Sequence, residues 1–245
     1  MFFGSIQERM TKNVSNDVTP KAIGIILDGN RRWARERGIP TLMGHKAGFD
    51  RVRDVVKWTK EAGIPYLTIY AFSTENWNRT EEEVSYLMKI FKNFAITERE
   101  LFKKEGVRVR FFGQKDRLAK DIRETLEDLE KDTQKGNELT LGVCLSYGGR
   151  SEIVAGVNAL LQDKTRSADK EITEEEFSKY LWTNGMPDPD IIIRTGGDQR
   201  LSNFLTWQSV YSELFFVPEH WPAFEKKHFD KVLEEFAVRQ RRHGK

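Results

Sequence analysis

The sequence predicts an α/β fold with a central parallel β-sheet of about six strands flanked by helices. Short apolar, β-rich runs recur along the chain, at 22–27, 66–72, 107–113, 139–145, 191–195 and 210–217. Amphipathic helical patterns lie between most of them, at 47–62, 80–104, 115–134, 149–164, 174–182 and 225–242. Thr173 and Glu176 form a capping-box pattern at one helix start. Strands that alternate with helices in this way are typical of a parallel sheet.

The size and composition indicate one globular unit. The 245 residues are 38% hydrophobic, and the 7 prolines and 18 glycines do not collect into a linker. We therefore expect a single domain over 21–245, preceded by a disordered or loosely held segment over 1–20. The formal net charge is only +2, so no overall field recruits nucleic acid. A site that binds an anion must therefore depend on a local cluster of cationic residues.

The cysteine content and the lack of export signals indicate the compartment. Cys144, the only cysteine, lies in the apolar segment 139–145 and has no intrachain disulfide partner, which suits the reducing cytoplasm. Residues 1–19 lack the apolar core of a signal peptide, and no window approaches the roughly 20 apolar residues of a membrane span. We expect a cytoplasmic protein. The short basic end at 239–245 is either a charged helix terminus or a peripheral contact with anionic lipid at the inner face of a membrane.

The residues after the first predicted strand combine a carboxylate with cations. Asp28 follows the apolar run 22–27, and Gly29, Asn30 and Arg32 come directly after it. An Asp at the end of a buried strand can hold Mg²⁺, while backbone N–H and guanidinium groups bind a phosphate. Asp-Gly is also an ordinary turn, but the strand before it and the cations after it favour a metal-bound diphosphate.

A second cationic cluster follows the apolar run 191–193. Arg194, Arg200 and Ser202 supply two guanidiniums and a hydroxyl within nine residues, and two glycines between them allow close backbone approach. The alternative is a loop in which these cations merely pair with Asp198. Ligands of parallel sheets bind beyond the carboxyl ends of the strands, so both clusters fall at the expected edge. Two phosphate cradles imply two phosphorylated groups, or one large one.

Two further segments carry polar groups at element ends. His45, near the start of the helix predicted at 47–62, is either a solvated cap or a phosphate ligand. The polar segment 73–79 follows a predicted strand and suits a loop that closes over a substrate. Trp77 in this loop would expose a large apolar surface unless something covers it.

Helix 80–104 and the last strand each raise one question. Residues at spacings of three and four, including Met88 and Phe91, form an apolar stripe that is either a core face or the wall of an elongated apolar cavity. Glu213 is a carboxylate in the otherwise apolar strand 210–217, which makes it a second candidate metal ligand.

Five ordered segments resemble the motifs of cis-prenyltransferases of the undecaprenyl diphosphate synthase family. They are 27–34, 44–48, 70–79, 147–150 and 194–204, and the resemblance runs from residue 21 to the end. It implies that the chain condenses isopentenyl diphosphate successively onto an allylic diphosphate such as farnesyl diphosphate. The product would be a cis-polyprenyl diphosphate such as undecaprenyl diphosphate, a lipid-carrier precursor. The resemblance also implies Mg²⁺ as cofactor, an apolar tunnel and a homodimer.

The same resemblance assigns roles residue by residue. Asp28 would bind Mg²⁺ and assist the leaving group, with Glu213 as a further metal ligand. The allylic diphosphate would contact Gly29, Asn30, Arg32 and His45, with Arg31 and Trp33 beside them. Isopentenyl diphosphate would contact Arg194, Arg200 and Ser202. Asn76 would align the substrates and assist proton loss, within a substrate-binding loop made of Ser73, Thr74, Glu75, Trp77 and Arg79. The tunnel would be lined by Leu87, Met88, Phe91 and Leu141.

The chain departs from the pattern of bacterial relatives at four positions. Thr41 stands where an Arg is common, and Arg31 where many relatives have Gly. Asp198 replaces the more usual Glu, and Ser146 the more usual Asn. These changes leave the reaction type intact and bear on the choice of allylic substrate and on the product length.

Two rival functions remain open at this point. A catalytically silent partner subunit would keep the fold and lose the metal-site Asp, which this chain retains as Asp28. A metal-dependent phosphatase would also use Asp, Mg²⁺ and arginines. Nucleotide-binding and serine-hydrolase functions lose their usual support, since the sequence has no Gly-x-x-x-x-Gly-Lys-Ser/Thr, Gly-x-Gly-x-x-Gly or Gly-x-Ser-x-Gly motif.

Overall fold

The structure, a computed structural model, describes residues 19–167 and 171–239. It confirms a central sheet of six parallel strands, in the order β3-β4-β2-β1-β5-β6. The strands are β1 (Ala22–Ile26), β2 (Tyr66–Ser73), β3 (Val107–Phe112), β4 (Leu139–Tyr147), β5 (Ile191–Arg194) and β6 (Glu213–Phe216). Most of the predicted segment 1–20 lies outside the described residues.

Eight α-helices in the described residues flank this sheet. They are α1 (Asn30–Glu36), α2 (Thr41–Glu61), α3 (Glu81–Thr97), α4 (Arg99–Lys104), α5 (Lys120–Thr133), α6 (Gly149–Gln162), α7 (Glu174–Ser178) and α8 (Lys226–Val238). Short 3-10 turns lie at Thr74–Asn78, Lys115–Arg117 and Trp221–Ala223. The Thr173 hydroxyl accepts a hydrogen bond from the Glu176 N–H, so the predicted helix start there is confirmed. None of the described helices is both long and apolar enough to cross a bilayer.

Several helix boundaries differ from the predicted ones, and two of these differences involve buried polar residues. Helix α2 begins at Thr41 rather than at 47, which places Gly44, His45 and Gly48 inside it. The predicted helix 80–104 is two helices that meet at Glu98. The buried Glu98 carboxylate accepts hydrogen bonds from Arg53 of α2 and from its neighbour Thr97, tertiary contacts that the apolar spacing does not reveal.

Both faces of the sheet are covered, as expected for parallel strands. Every residue of β1 is buried. Ile23 and Ile25 pack into a large core that helices α2, α3, α5 and α8 cover. Ile26 points to the opposite face and packs with Tyr70 and Phe204 in a second cluster.

The strand register brings the predicted polar segments to one edge. Ile26 at the end of β1 pairs with Tyr70 of β2 on one side and with Arg194 of β5 on the other. The chain leaves these three strands in the same direction, into the loops that start near Asp28, Ser73 and Thr195. The expectation that the polar clusters share the carboxyl edge of the sheet is therefore confirmed.

Candidate active site

An ion pair between Asp28 and Arg194 forms the centre of this edge. The Arg194 guanidinium is only 5% exposed, and its Nη2 donates to Asp28 Oδ2 at 2.8 Å. Its Nη1 donates to the Ser202 hydroxyl at 2.7 Å and to the carbonyl of Arg200. One buried side chain thus holds the loop after β1 and the loop after β5 in a fixed relation.

The Asp28 backbone is held as firmly as its side chain. The Thr195 hydroxyl accepts from the Asp28 N–H at 3.0 Å and donates to the Asp28 carbonyl at 2.8 Å. The same carbonyl accepts from the Trp221 N–H at 2.9 Å. Next to it, Gly29 has φ +102° and packs against His220, where a Cβ would lie 2.6 Å from the ring Nδ1. The turn therefore requires glycine for both its backbone angle and its surroundings.

A cavity of about 910 Å³ opens at this point. Its mouth combines six arginines with three carboxylates, which are Arg31, Arg32, Arg35, Arg79, Arg194, Arg200, Asp28, Glu75 and Asp198. Further polar lining comes from Gly29, Asn30, His45, Ser73, Asn76, Ser202 and Asn203. Most of the residues predicted to bind substrate therefore line one cavity.

The carboxylates at the mouth hold the arginines apart from one another. Arg32 Nη2 lies 3.2 Å from Asp28 Oδ2 and 3.1 Å from Asp198 Oδ2. Arg200 donates to Asp198 at 3.0 Å. Arg32 and Arg200 are 39% and 61% exposed, so solvent screens their pairs and an anion can reach both guanidiniums. The predicted pairing with Asp198 does occur, and it lies inside the cavity.

Asp28 stays ionised in this setting. Burial acts to raise the pKa of its carboxyl group, but the hydrogen bond and charge of Arg194, the charge of Arg32 and the Gly29 N–H together outweigh burial. The pKa of Asp28 therefore lies below its ordinary value. The cavity mouth offers a carboxylate, not a carboxylic acid, at neutral pH.

Close packing of α2 on α1 places Asn30 at the cavity wall. A Cβ at Gly44 would lie 2.2 Å from the Asn30 carbonyl oxygen, and one at Gly48 would lie 2.3 Å from Asn30 Oδ1. The two glycines therefore let the helices touch. Oδ1 of Asn30 is buried and has no hydrogen-bond partner in the described residues.

His45 is a buried residue of α2, so its interpretation as a solvated cap is wrong. Its Nε2 lies 2.9 Å from Glu83 Oε1, which also accepts from Arg79 at 2.9 Å. A carboxylate only accepts, so Nε2 carries the ring proton. Burial, together with the charges of Arg79 and Arg31, lowers the pKa of His45 more than Glu83 raises it, and the ring is therefore neutral at pH 7. The ring lines the cavity, but Glu83 already occupies its donor nitrogen.

The loop after β2 forms a short 3-10 helix with its own cap. Asn76 Oδ1 accepts from the Ser73 N–H at 3.1 Å, and the Ser73 hydroxyl accepts from the Asn76 N–H. Trp77 packs edge-on against Phe72, and its indole N–H donates to the Ser146 hydroxyl at 2.9 Å. The protein itself therefore covers the apolar surface of Trp77 that the sequence left without a partner.

The inner part of the cavity is apolar. Its lining includes Leu87 and Phe91 of α3, as predicted, together with Phe49, Val52, Ile69, Phe94, Phe111 and Val143. Met88 and Leu141, which were also predicted to line a tunnel, are buried in the surrounding core and do not line the cavity. Leu141 belongs to β4 and is fully buried. The stripe on α3 is thus partly core and partly cavity wall.

Four other predicted site residues lie elsewhere. Trp33, Thr74 and Trp77 are near the cavity but do not line it, and Arg37 stacks on the Trp33 ring at 4.3 Å. Glu213 is at the amino end of β6, opposite Ile191, and its Oε2 is 2.8 Å from Arg239 Nη1. Glu213 is therefore at the opposite end of its strand from the edge that carries Asp28, and its role as a metal ligand stays a prediction.

Some residues that shape the site have no role predicted from the sequence. Thr195 and Trp221 hold the Asp28 backbone, and Asn203 bonds to Glu75. Arg35 lines the cavity mouth beside Arg31, whereas Thr41 does not line it. Two cations of α1 thus add positive charge to the mouth in a chain that has Thr41 in place of the common Arg. The only signal for Thr195 and Asn203 was their place in the motif 194–204.

The donor set at the mouth fits a hard cation only in part. Asp28 supplies an ionised oxygen ligand, the kind Mg²⁺ prefers. Among the described residues, however, no three His, Cys, Asp or Glu side chains cluster in a way that could hold a metal ion. A magnesium ion here would therefore need ligands from elsewhere, and the oxygens of a bound diphosphate are of the right type.

Comparisons with known proteins agree with this geometry. Residues 26–244 match the family described as "Putative undecaprenyl diphosphate synthase". An isoprenyl transferase of Thermotoga maritima is 45% identical over 92% of this chain and 97% of its own length. A Pyrococcus furiosus protein named tritrans,polycis-undecaprenyl-diphosphate synthase (geranylgeranyl-diphosphate specific) is 45% identical over 96% of this chain and 91% of its own.

Two solved structures share the fold. Lavandulyl diphosphate synthase from Lavandula x intermedia, in complex with dimethylallyl diphosphate, has a TM-score of 0.90 and 31% identity, covering 94% of this chain and 100% of its own. A "probable undecaprenyl diphosphate synthase" from Campylobacter jejuni has a TM-score of 0.78 and 30% identity, covering 92% and 99%. The chain, with its parallel sheet and its arginine-rich cavity, therefore belongs to the undecaprenyl diphosphate synthase family of cis-prenyltransferases.

Proposed function

We propose that this protein condenses isopentenyl diphosphate successively onto an allylic diphosphate, such as farnesyl diphosphate, to give a cis-polyprenyl diphosphate. The observation that carries the proposal is a single cavity with an arginine-rich mouth and an apolar interior. Such a cavity suits a substrate with an anionic head and a growing hydrocarbon tail. The dimethylallyl diphosphate of the Lavandula enzyme is itself an allylic diphosphate, which supports the substrate class.

The cavity mouth supports two distinct diphosphate positions. The allylic diphosphate would lie on Gly29, Asn30 and Arg32, beside His45, where the Arg32 guanidinium is accessible to an anion. Isopentenyl diphosphate would lie on Arg194, Arg200 and Ser202. Arg194 already orients Ser202, so this second cradle is preorganised.

We propose magnesium as the cofactor, held by Asp28 and by diphosphate oxygens. The ion would neutralise charge on the departing diphosphate. Asp28 faces the cavity in its ionised form, and Arg32 stands beside it to bind the same anion. Asn76 would align the two substrates from the opposite loop.

The assembly is proposed to be a homodimer. Helix α6 exposes Val154, Val157 and Leu161 at 60%, 43% and 75%, and their spacing of three and four places them on one helix face. A second copy of the chain is the proposed cover of this apolar face. Peripheral contact with the cytoplasmic face of a membrane is proposed because the polyprenyl product is a lipid; most of the basic end 239–245 lies outside the described residues.

The central experiment supplies the purified protein with labelled isopentenyl diphosphate, Mg²⁺, and farnesyl or geranylgeranyl diphosphate. We expect polyprenyl diphosphates, identified by mass spectrometry, from at least one primer, and loss of the product when a chelator removes the metal. Binding of both substrates without turnover would instead indicate a silent partner subunit. Release of inorganic phosphate without polymer would indicate a phosphatase. Either result would overturn the proposal.

Asp28→Asn tests the carboxylate at the cavity mouth. The substitution keeps the size of the side chain and removes its charge, so we expect kcat/KM to fall by about a thousandfold or more. Asp128→Asn, on the exposed side of α5, is the matched control and should keep wild-type activity. Steady-state kinetics and circular dichroism measure activity and fold together. An Asp28→Asn enzyme within tenfold of wild type would contradict the role of Asp28.

Leu87→Phe tests the apolar interior as the site of the hydrocarbon. The larger side chain reduces the space beside Phe91, so we expect shorter products in the mass spectrum while the first condensation continues. Ile96→Phe makes a similar change at a 53% exposed position of the same helix and should leave the product length unchanged. An unaltered product distribution for Leu87→Phe would place the growing chain elsewhere.

Val157→Asp tests the proposed dimer face. A charge in the middle of the apolar face of α6 would be buried without a partner in a dimer, so we expect dissociation to monomers. Light scattering after size-exclusion chromatography gives the mass directly. Gln134→Asp, at an exposed position after α5, controls for the introduced charge. A wild-type protein that is monomeric at micromolar concentration, or a Val157→Asp protein that is still dimeric, would refute this face.

A further inference from the structure

Asn203 lies where three segments of the cavity rim meet. Its Nδ2 donates to Glu75 Oε1 at 3.1 Å, and its Oδ1 accepts from the Arg150 N–H at 2.9 Å. Its carbonyl accepts from the Gly149 N–H at 2.7 Å. The side chain thus links the loop after β5 to the loop after β2 and to the start of α6.

The local backbone is shaped for this contact. Asn203 has φ +68° and Ser202 has φ +49°, left-handed values that are uncommon outside glycine and that Asn tolerates better than most residues. A Cβ at Gly148 would lie 2.6 Å from Asn203 Nδ2 and 2.8 Å from Thr74 Oγ1. A side chain at 148 would therefore displace Asn203 or Thr74 from these positions.

The partner carboxylate is held in its ionised form. Burial acts to raise the pKa of Glu75, but bonds from its own N–H, from the Ser73 and Thr74 hydroxyls and from Asn203 together lower it. Glu75 therefore accepts a charge-assisted hydrogen bond from Asn203. The same carboxylate is tied to Ser73, which with Asn76 caps the 3-10 helix of this loop.

We propose that Asn203 is a positioning residue that couples the isopentenyl diphosphate cradle to the loop over residues 73–79. Ser202, its neighbour, belongs to the cradle, and Glu75 belongs to the loop, so one amide sets the distance between them. The inference rests on the proposed function for the identity of the substrates. The physical link between the two loops does not depend on it.

Asn203→Asp breaks the link by replacing the donor with a carboxylate oxygen that faces Glu75. Adding Glu75→Gln in the same chain restores a hydrogen bond with donor and acceptor exchanged, at the same net charge. Amide hydrogen exchange over residues 74–78 reports the link without any substrate. Kinetics with isopentenyl and farnesyl diphosphates report its effect on the reaction. Asn137→Asp, in the exposed loop before β4, is the matched control.

We expect Asn203→Asp to raise the exchange rate over 74–78 and to lower kcat by about tenfold or more, with a higher KM for isopentenyl diphosphate. The double variant should have a kcat at least about fivefold higher than that of Asn203→Asp, because the effects of substitutions at coupled residues are not additive. A merely structural role would lower the melting temperature without this reciprocal rescue. If Asn203→Asp does not fold, Asn203→Gly keeps the backbone conformation and removes only the side-chain bonds.

Different outcomes test the coupling of the two loops and the proposed reaction. Unchanged exchange in Asn203→Asp or Asn203→Gly, or a double variant no better than the product of the two single effects, overturns the role of Asn203. A wild-type protein that makes no polyprenyl product overturns the proposed function instead, while hydrogen exchange still decides whether the two loops are coupled.

Discussion

The pair between Asp28 and Arg194 is the constraint on which the rest of the site depends. It joins the ends of two neighbouring strands, and the same guanidinium orients Ser202. A buried ion pair is not an efficient way to stabilise a fold, since apolar replacements are often neutral or better by about 1–4 kcal/mol. Its value here is geometric, because it holds a carboxylate and a phosphate cradle at a fixed separation beside the cavity.

The charge balance of the cavity mouth follows from that pair. Six arginines in one cleft would repel one another, and the carboxylates of Asp28 and Asp198 lie between several of them. The pairs of Arg32 and Arg200 with Asp198 are accessible, whereas Arg194 is buried. An incoming diphosphate can therefore compete for the exposed guanidiniums while the buried one keeps the scaffold in place.

Most of the architecture could be predicted from the sequence. Apolar residues recur every second position in strands and about every 3.6 positions in helices, and these local patterns also indicate where the strands end. The convergence of Asp28, Arg194 and Ser202 was foreseeable because parallel strands end at one edge. These local patterns did not reveal the contacts between segments that are distant in the sequence. The predicted helix started at 47, yet α2 already includes Gly44, where the close approach of Asn30 leaves no room for a Cβ. The contacts of Thr195 and Trp221 to the Asp28 backbone have no periodicity that could reveal them.

Backbone strain points to the same region independently. The described non-glycine residues with positive φ are Ser146, Ser202, Asn203 and Leu205. Left-handed backbone in such residues costs about 1–3 kcal/mol each, and it persists only where the surroundings over-determine it. Ser146 accepts the indole of Trp77, and Asn203 bonds to Glu75, so two strained residues hold the same loop. The strained backbone, the buried charges and the cavity therefore lie in the same region. This is expected where a protein gives up stability in order to position reacting groups, and not where strain is spread at random over the fold.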